Sequence, residues 1–263
     1  MKQKQVRHNP IGMQKSINRL IEDKNIRALI LDLDGVITQT AKVHAQAWKH
    51  MFDDYLAKRG ANETKTYQPL DIATDYRQYI DGIARYDGVR NFLASRGLVL
   101  PEGTAADAPR SETVAGLGNL KNHYFQELVR KGGVEAYSDT IAWLKHQRQQ
   151  GKRTAVISAS RNCEAILKAA GIKDLFEVQV DGIKALELGL KGKPAPDVFL
   201  EAARQLQTQP FEAAIFEDAL AGVEAGKAGG FALVVGIDRT GDAKRLSDHG
   251  ADIVIDKFLL EEI

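Results

Sequence analysis

Short apolar runs alternate with amphipathic stretches from about residue 136 to residue 258, and this alternation constrains the fold more than any other feature of the sequence. The stretches between the runs, such as "NCEAILKAAG" and "DVFLEAARQL", repeat their apolar residues at helical spacing. The apolar runs are "RTAVISAS", "LFEVQV", "AAIFED", "FALVVGID" and "DIVI". Such alternation is typical of βαβ units, so we predict an α/β fold with a doubly wound, Rossmann-like parallel sheet covered by helices on both faces.

An earlier apolar run, "RALILDLDG" at residues 27–35, has the same character and is expected to join this sheet. Between it and the βαβ region the pattern is helical, with no convincing strand through about residue 130. The helical block therefore reads as an insertion between the first strand and the rest of the sheet. We predict an N-terminal helical extension at residues 1–25, a core domain at 26–40 and 131–263, and an inserted α-helical cap domain at 41–130.

Charge and composition exclude several classes of protein. The chain has 36 Lys and Arg against 35 Asp and Glu, so its net charge of +1 gives no general attraction to nucleic acid or to an acidic membrane. The single Cys163 cannot form an internal disulfide, and the sequence shows neither a secretory signal nor an apolar run of about 18 residues. We expect a cytoplasmic monomer that binds a small molecule, with no nucleic-acid or membrane partner.

Polar residues follow the apolar runs where a parallel sheet would bind a ligand, outside the carboxyl ends of its strands. Each has an alternative interpretation: Asp-Gly is a common turn pair, Ser160, Asn162 or Asp218 could cap a helix, and a lysine is usually solvated. Their combination at several strand ends is much harder to obtain by chance. The residues are Asp32 and Asp34 in "DLDG", Ser158 in "VISAS", Lys193 in "GKPAPD", and Glu217 and Asp218 in "IFEDALAG".

These residue types suit phosphate chemistry. Acids at two strand ends can supply the carboxylate oxygens that Mg²⁺ prefers. A lysine on a stiff loop can hold a phosphate as a point charge, and a hydroxyl with backbone N–H groups at a helix start can bind an anion.

The four motifs "DLDGV", "VISAS", "KPAPD" and "FEDALAG" appear in this order, and in combination the chain resembles the haloacid dehalogenase-like superfamily, within it the β-phosphoglucomutase-like group. The resemblance implies that Asp32 is the nucleophile that becomes a phosphoaspartate and that Asp34 is the general acid and base. It also implies that Ser158 and Lys193 contact the transferring phosphoryl group. The implied Mg²⁺ ligands are the Asp32 carboxylate, the Asp34 backbone carbonyl, Glu217 and Asp218.

The cap also resembles that of the sugar-phosphate mutases in this group. The resemblance implies that Thr40, His44 and Lys121 control Asp34 as the cap closes, and that "SASRN" binds a second phosphate. Simple packing remains open for Trp48 and His44. The implied substrate-binding residues are Thr40, His44, Trp48, Arg90, Lys121, Ser160, Arg161 and Asn162. The cap differs from the mutase pattern by being longer, and by carrying Gln39 where an acid is common.

Three functions are compatible with these residues. The one we place first is a Mg²⁺-dependent phosphatase, a hydrolase acting on a small sugar phosphate, with the mutase as its alternative. The second is a mutase, an isomerase that interconverts β-glucose 1-phosphate and glucose 6-phosphate by passing the phosphoryl group to a sugar hydroxyl instead of water. The third, a non-catalytic phosphate-binding module, is disfavoured because neither a G-x-G-x-x-G nor a P-loop motif follows the first strand.

Overall fold

A computed structural model describes residues 10–241 and 243–260, with side chains from residue 17 onward. Six strands form one parallel sheet. They are β1 (Ala28–Asp32), β2 (Arg153–Ile157), β3 (Val178–Val180), β4 (Ala213–Glu217), β5 (Leu233–Ile237) and β6 (Ile253–Ile255). All six apolar runs in the sequence are therefore strands, and the predicted α/β fold with a doubly wound parallel sheet is confirmed.

The strand order is β3-β2-β1-β4-β5-β6, which puts β1 in the middle of the sheet. Strand β1 pairs in parallel with β2 and with β4, and in the latter pair Leu31 lies opposite Phe216. The chain reverses its direction of winding at β1, so the carboxyl end of β1 is the switch point where ligands bind in sheets of this kind.

Both faces of the sheet are buried by helices, as the continuous apolar runs require. On β1, Leu29 and Leu31 belong to one apolar cluster while Ala28 and Ile30 belong to the other, following the two-residue period of a strand. The helices of this part of the chain are α6 (Ser138–Gln149), α7 (Cys163–Ala169), α8 (Gly182–Glu187), α9 (Asp197–Gln205), α10 (Leu220–Ala228) and α11 (Ala243–Asp248).

The segment between β1 and α6 is helical, and we call residues 40–132 the cap segment. It contains α2 (Thr40–Glu63), a π-helical turn (Ile72–Tyr76), α3 (Arg77–Tyr79), α4 (Arg85–Ser95) and α5 (Val114–Gly132). The long helices α2 and α5 pack on each other through buried apolar side chains, among them Phe52 and Phe125. Thr113 begins α5 by accepting a hydrogen bond from the Gly116 amide, the usual way to satisfy a helix start.

Helix α1 (Pro10–Asp23) precedes the sheet and matches the predicted N-terminal helix, although residues 1–9 of that extension lie outside the described residues. Its Ile17 and Ile21 are buried in the core, and Asn18 accepts a hydrogen bond from the Trp143 indole. The division into core and cap domains with boundaries near residues 40 and 131 stays a prediction. Over the described residues, the structure contains no helix whose length and apolarity would allow it to cross a bilayer.

Candidate active site

Two neighbouring strands place two acids side by side at the carboxyl edge of the sheet. Asp32 is the last residue of β1 and Glu217 is the last residue of β4. The side chain of Asp32 is held by the chain that follows it, because the Asp34 amide donates to Asp32 Oδ2 over 2.9 Å. The first carboxylate of "DLDG" is therefore rigidly oriented.

Lys193 joins these two acids from a different part of the chain. Its Nζ donates to Asp32 Oδ1 over 2.6 Å and also to Glu217 Oε1. The second oxygen of Glu217 accepts from the Ala219 amide over 3.0 Å. Burial disfavours the ammonium, yet the two carboxylates raise the pKa of Lys193, so it stays positively charged. Burial raises the pKa of Asp32 well above its usual value, and Lys193 opposes that rise.

The second acid of the motif, Asp34, is held by the start of the cap segment. Thr40 Oγ1 donates to Asp34 Oδ1, and His44 Nε2 lies 3.4 Å from the same oxygen. Burial alone would raise the pKa of Asp34, but His44 and Thr40 lower it to about 2. Ser158 Oγ is 3.4 Å from Asp34 Oδ2, so this serine also faces the acid. Asp34 is thus an ionised carboxylate whose oxygens are kept in place by neighbouring donors.

A buried lysine, Lys121, contacts His44, and its Nζ lies 2.6 Å from His44 Nδ1. Burial and the charge of Arg85 lower the pKa of Lys121 well below its usual value, and Asp34 opposes this shift. With a lysine N–H donating to Nδ1, the imidazole proton lies on Nε2, toward Asp34. Burial and the charge of Lys121 lower the pKa of His44, which keeps the imidazole neutral. The ring of His44 stacks on Phe125 at 4.0 Å, so the packing role considered from the sequence is real alongside the polar one. Lys121 also lies 5.1 Å from the Trp48 ring centroid.

The remaining acid, Asp218, lines the same cavity as Asp32, Asp34 and Lys193. We call it the catalytic cavity. Its carboxylate rests against Gly35, where a Cβ atom would come within 1.7 Å of Asp218 Oδ2, and Gly35 has a φ of +85°. Only glycine satisfies both conditions. Burial and the neighbouring carboxylates Asp81, Glu217 and Asp32 raise the pKa of Asp218 well above its usual value.

This donor set fits a hard divalent cation. Within the described part of the chain, no three carboxylate, histidine or cysteine side chains already converge as a complete metal cage. Mg²⁺ does not need one, because it keeps several water ligands and uses only a few carboxylate oxygens. Burial and neighbouring carboxylates raise the pKa values of Asp32 and Asp218, which disfavours their ionised forms. A cation bound between the two carboxylates would stabilise these ionised forms.

A second positive region lies on the cap side of the same cavity. Arg85 begins α4 and lines the cavity, and its guanidinium donates to Asn122 Oδ1 over 2.9 Å. Burial and the neighbouring Arg161 lower the pKa of Arg85 to about 10. Asn162 Nδ2 donates to the same oxygen of Asn122, also over 2.9 Å. Two arginines this close, one of them largely buried, favour an anion between them.

The other predicted substrate-binding residues fall into two groups. In the first group, Trp48, His44, Lys121 and Ser160 line the catalytic cavity. Thr40 precedes the lining residue Ala41 in the chain. Arg90 is placed differently: it donates to both carboxylate oxygens of Glu102 over 2.8 Å and pairs with Asp87. It faces a neighbouring cavity of about 230 Å³ that also borders Arg85 and Arg161.

Sequence reasoning missed three polar or charged residues that line the catalytic cavity, namely Tyr76, Asp81 and Arg85. They lie in the part of the cap that departs from the mutase pattern, where periodicity gives no indication of which side chain turns inward. The pair Asp81-Gly82 was the available signal, since it repeats the Asp-Gly pair of the first motif. The cavity itself is small, about 60 Å³, enough for a few water molecules.

Comparison with known proteins gives consistent results. The sequence matches the family model of the haloacid dehalogenase-like hydrolases over residues 26–230. It is 46% identical over 235 residues to a β-phosphoglucomutase of Mycobacterium bovis, covering 88% of this chain and 90% of that protein. It is also 35% identical over 120 residues to a trehalose-phosphate phosphatase of Mycobacterium leprae, covering 44% of this chain and 26% of that protein. The structure is similar to that of a β-phosphoglucomutase from Clostridium difficile, with a TM-score of 0.69, 26% identity, and coverage of 88% of this chain and 91% of that one.

Proposed function

The chain belongs to the haloacid dehalogenase-like hydrolases, and on that premise we propose that it is a Mg²⁺-dependent sugar-phosphate mutase that works through a phosphoaspartate at Asp32. The broader class, an enzyme that is a phosphohydrolase or a phosphomutase, follows from the family and from its mutase relatives. The observation that carries the finer proposal is the chain of contacts Lys121–His44–Asp34–Thr40, which ties the general acid and base to the cap segment.

Asp32 is the nucleophile in this proposal. One oxygen of its carboxylate forms the bond to phosphorus while the bond from phosphorus to the sugar oxygen breaks, and covalent transfer splits a difficult step into two easier ones. Lys193 compensates the negative charge that develops on the phosphoryl oxygens, and Glu217 holds Lys193 in position. Bound Mg²⁺, held by the Asp32 and Asp218 carboxylates and the Asp34 carbonyl, would neutralise the charge of the phosphoryl group and orient it.

Asp34 moves the proton. As a carboxylate it first removes the proton from the sugar hydroxyl that attacks the phosphoaspartate, and it then gives this same proton to the sugar oxygen that departs when Asp32 attacks the other phosphate. The low pKa of Asp34 makes it a carboxylate when the site is formed by Thr40 and His44. A change in these two contacts, which belong to the cap segment, changes the basicity of Asp34, so proton transfer is coupled to the position of the cap segment.

The second positive region suits the phosphate that does not react. A mutase intermediate carries two phosphates, so one must bind away from Asp32 while the other is transferred. Arg85 and Ser160 line the catalytic cavity, Arg161 lines the neighbouring one, and Asn162 shares the Asn122 oxygen with Arg85; together they would hold this phosphate. We assign this role to Arg85 in place of Arg90, whose guanidinium is engaged by Glu102.

The small size of the catalytic cavity indicates a closed arrangement. A sugar phosphate can enter only if the cap segment moves, and closure then excludes bulk water from the phosphoaspartate. Exclusion of water is what a mutase needs, because water would otherwise take the phosphoryl group in place of the sugar.

The test combines β-glucose 1-phosphate, Mg²⁺ and a trace of glucose 1,6-bisphosphate, with glucose 6-phosphate and free phosphate followed together. We expect glucose 6-phosphate to exceed free phosphate by far. Asp32→Asn should abolish turnover and phosphoenzyme, and retained turnover above about one percent would contradict the assignment of the nucleophile.

Arg85→Gln and Arg90→Gln form a matched pair on the same helix. Loss of Arg85 should reduce mutase turnover by about a hundredfold or more, the cost of a missing charged phosphate contact, whereas loss of Arg90 should change it by less than about threefold. The reverse ranking would restore Arg90 as the distal phosphate ligand.

A phosphatase is the second candidate, supported by the relative named trehalose-phosphate phosphatase. In that case Asp34 would activate water after the first transfer, and free phosphate would dominate in the same assay. A panel of other sugar phosphates would then identify the substrate.

A further inference from the structure

Asp81 is a carboxylate that the cap segment carries into the acidic side of the catalytic site. It lies between α3 and α4 and lines the catalytic cavity together with Asp32 and Asp218. It has no place in the mechanism derived above, where the cap contributes Thr40, His44 and Lys121 on the opposite side of Asp34.

The contact that brings Asp81 there is tight. The next residue, Gly82, has a φ of +71°, and a Cβ atom at this position would come within 2.9 Å of Ala219 Cβ and 3.9 Å of Lys193 Cδ. The backbone of the cap segment therefore rests directly on the chain that follows β4. Glycine is required both by the backbone conformation and by the lack of space.

The charges around Asp81 oppose this arrangement. Burial and the neighbouring Glu217 raise the pKa of Asp81 to about 7, and Asp81 in turn raises the pKa of Asp218. Lys193 and Arg77 attract the Asp81 carboxylate, but Lys193 is already shared between Asp32 and Glu217. The Tyr76 hydroxyl acts on Asp81 as a donor and lowers the pKa of that carboxyl. Bringing a further carboxylate to a group of buried acids costs free energy unless a cation is present.

We propose that Asp81 is a positioning residue that makes closure of the cap segment depend on the bound metal ion. Without the cation, like-charge repulsion from Glu217 and Asp218 favours the open arrangement. With Mg²⁺ bound, the same carboxylate is attracted and the closed arrangement is favoured. Because such coupling is reciprocal, closure also strengthens Mg²⁺ binding. This inference rests on the metal site of the proposed function and adds an order to it: metal first, then closure over the substrate.

The first measurement is Mg²⁺ binding without substrate, by isothermal titration calorimetry. Asp81→Asn removes the charge and keeps the shape, and Glu63→Gln removes an exposed carboxylate of the cap segment as the control. We expect Glu63→Gln to bind Mg²⁺ like the parent protein and Asp81→Asn to bind it about tenfold more weakly, as the loss of one partly screened charge predicts.

The second measurement is the position of the cap segment, by small-angle X-ray scattering with and without Mg²⁺. The parent protein and Glu63→Gln should become more compact when Mg²⁺ is added. Asp81→Asn should have nearly the same radius of gyration in both conditions, because its closure is no longer opposed by repulsion. Tyr76→Phe removes the hydroxyl that acts on Asp81 and keeps the ring, and it should weaken Mg²⁺ binding by about threefold. If Asp81→Asn does not fold, Tyr76→Phe tests the same proposal.

The outcomes separate the two proposals. If the parent protein binds no Mg²⁺, the metal site of the proposed function is wrong. If it binds Mg²⁺ and the Asp81→Asn or Tyr76→Phe variant matches it within twofold and compacts equally, the metal site stands and the role of Asp81 is overturned.

Discussion

The substitution Lys193→Met tests the electrostatic account of the site in one step. Met keeps most of the length of the lysine side chain and removes its charge. Lys193 is 2% exposed, and its partners Asp32 and Glu217 are 8% and 0% exposed, so solvent cannot replace the lost cation. The substitution therefore leaves two buried carboxylates facing each other without a counter-charge.

The size of the effect follows from the geometry. At the 2.6 Å distance between Nζ and Asp32 Oδ1, the Coulomb attraction is about 6 kcal/mol at an effective dielectric constant of about 20. Part of it is offset in the parent protein by the cost of burying the ammonium. Removing one partner of a buried ion pair costs about 3–5 kcal/mol in practice, a large fraction of the roughly 5–15 kcal/mol that stabilises a domain.

The assay is urea unfolding at pH 7 in the presence of EDTA, with Lys227→Met as the control. Lys227 pairs with Asp252 over 3.1 Å, but its side chain is 61% exposed, so the same substitution there should change the unfolding free energy by less than about 1 kcal/mol.

The pH dependence has a definite sign. The folded-state pKa of Lys193 is raised above its ordinary 10.5, so its contribution is complete below that value and is lost as the pH rises through the folded-state pKa. In Lys193→Met the deficit should shrink from pH 7 toward pH 5, because Asp32, whose pKa burial already raises, can take up a proton. A loss no greater than that of Lys227→Met, with no change over this range, would refute the reasoning.

Two further predictions concern the second acid and the metal site. Thr40→Val removes the hydroxyl that donates to Asp34, so the unfolding free energy at pH 7 should fall by about 1.5–3 kcal/mol, the value of a hydrogen bond to a charged group. The pKa of Asp34 is lowered in the folded state, so this loss should disappear as the pH falls toward about 2, and a loss independent of pH in urea titrations would contradict it. Gly35→Ala places a methyl group against Asp218 and should weaken Mg²⁺ binding by about tenfold or more in calorimetric titrations, since it displaces the carboxylate that we propose as a metal ligand. Gly97→Ala, at a φ of +70° with open space around it, imposes similar backbone strain and should leave Mg²⁺ binding unchanged.

The different positions of Arg85 and Arg90 show where sequence reasoning stopped. Arg85 and Arg90 lie on the same helix, five residues apart, which at 3.6 residues per turn is about 140° around the helix axis. Only one of them can face the catalytic cavity, and the sequence resemblance, loose in this part of the cap, suggested Arg90. In the structure Arg85 lines the cavity and Arg90 turns to Glu102.

The properties of Cys163 were likewise decided by its surroundings. It begins α7, and a helix start can lower the pKa of a thiol. The structure buries the thiol, and burial raises its pKa far above the ordinary value, so Cys163 is an unreactive packed thiol.

The sequence by itself determined the six strands, the helical insertion and the acids that follow β1 and β4. These properties are local: a buried parallel strand needs a continuous apolar run, and the chain can place polar groups only where that run ends. The chemistry of "DLDG" is local for the same reason, because the amide of Asp34 orients Asp32 within the motif.

Only the tertiary structure decided which distant groups meet. The strand order around β1, the junction of Lys193 with Asp32 and Glu217, and the approach of Asp81 to Asp218 each join segments far apart in the chain. Hydrophobic periodicity records which face of an element is buried, and it contains no information about which partner covers that face. Contacts between the cap segment and the sheet depend on such partners, and they set the charge balance at the candidate catalytic acids.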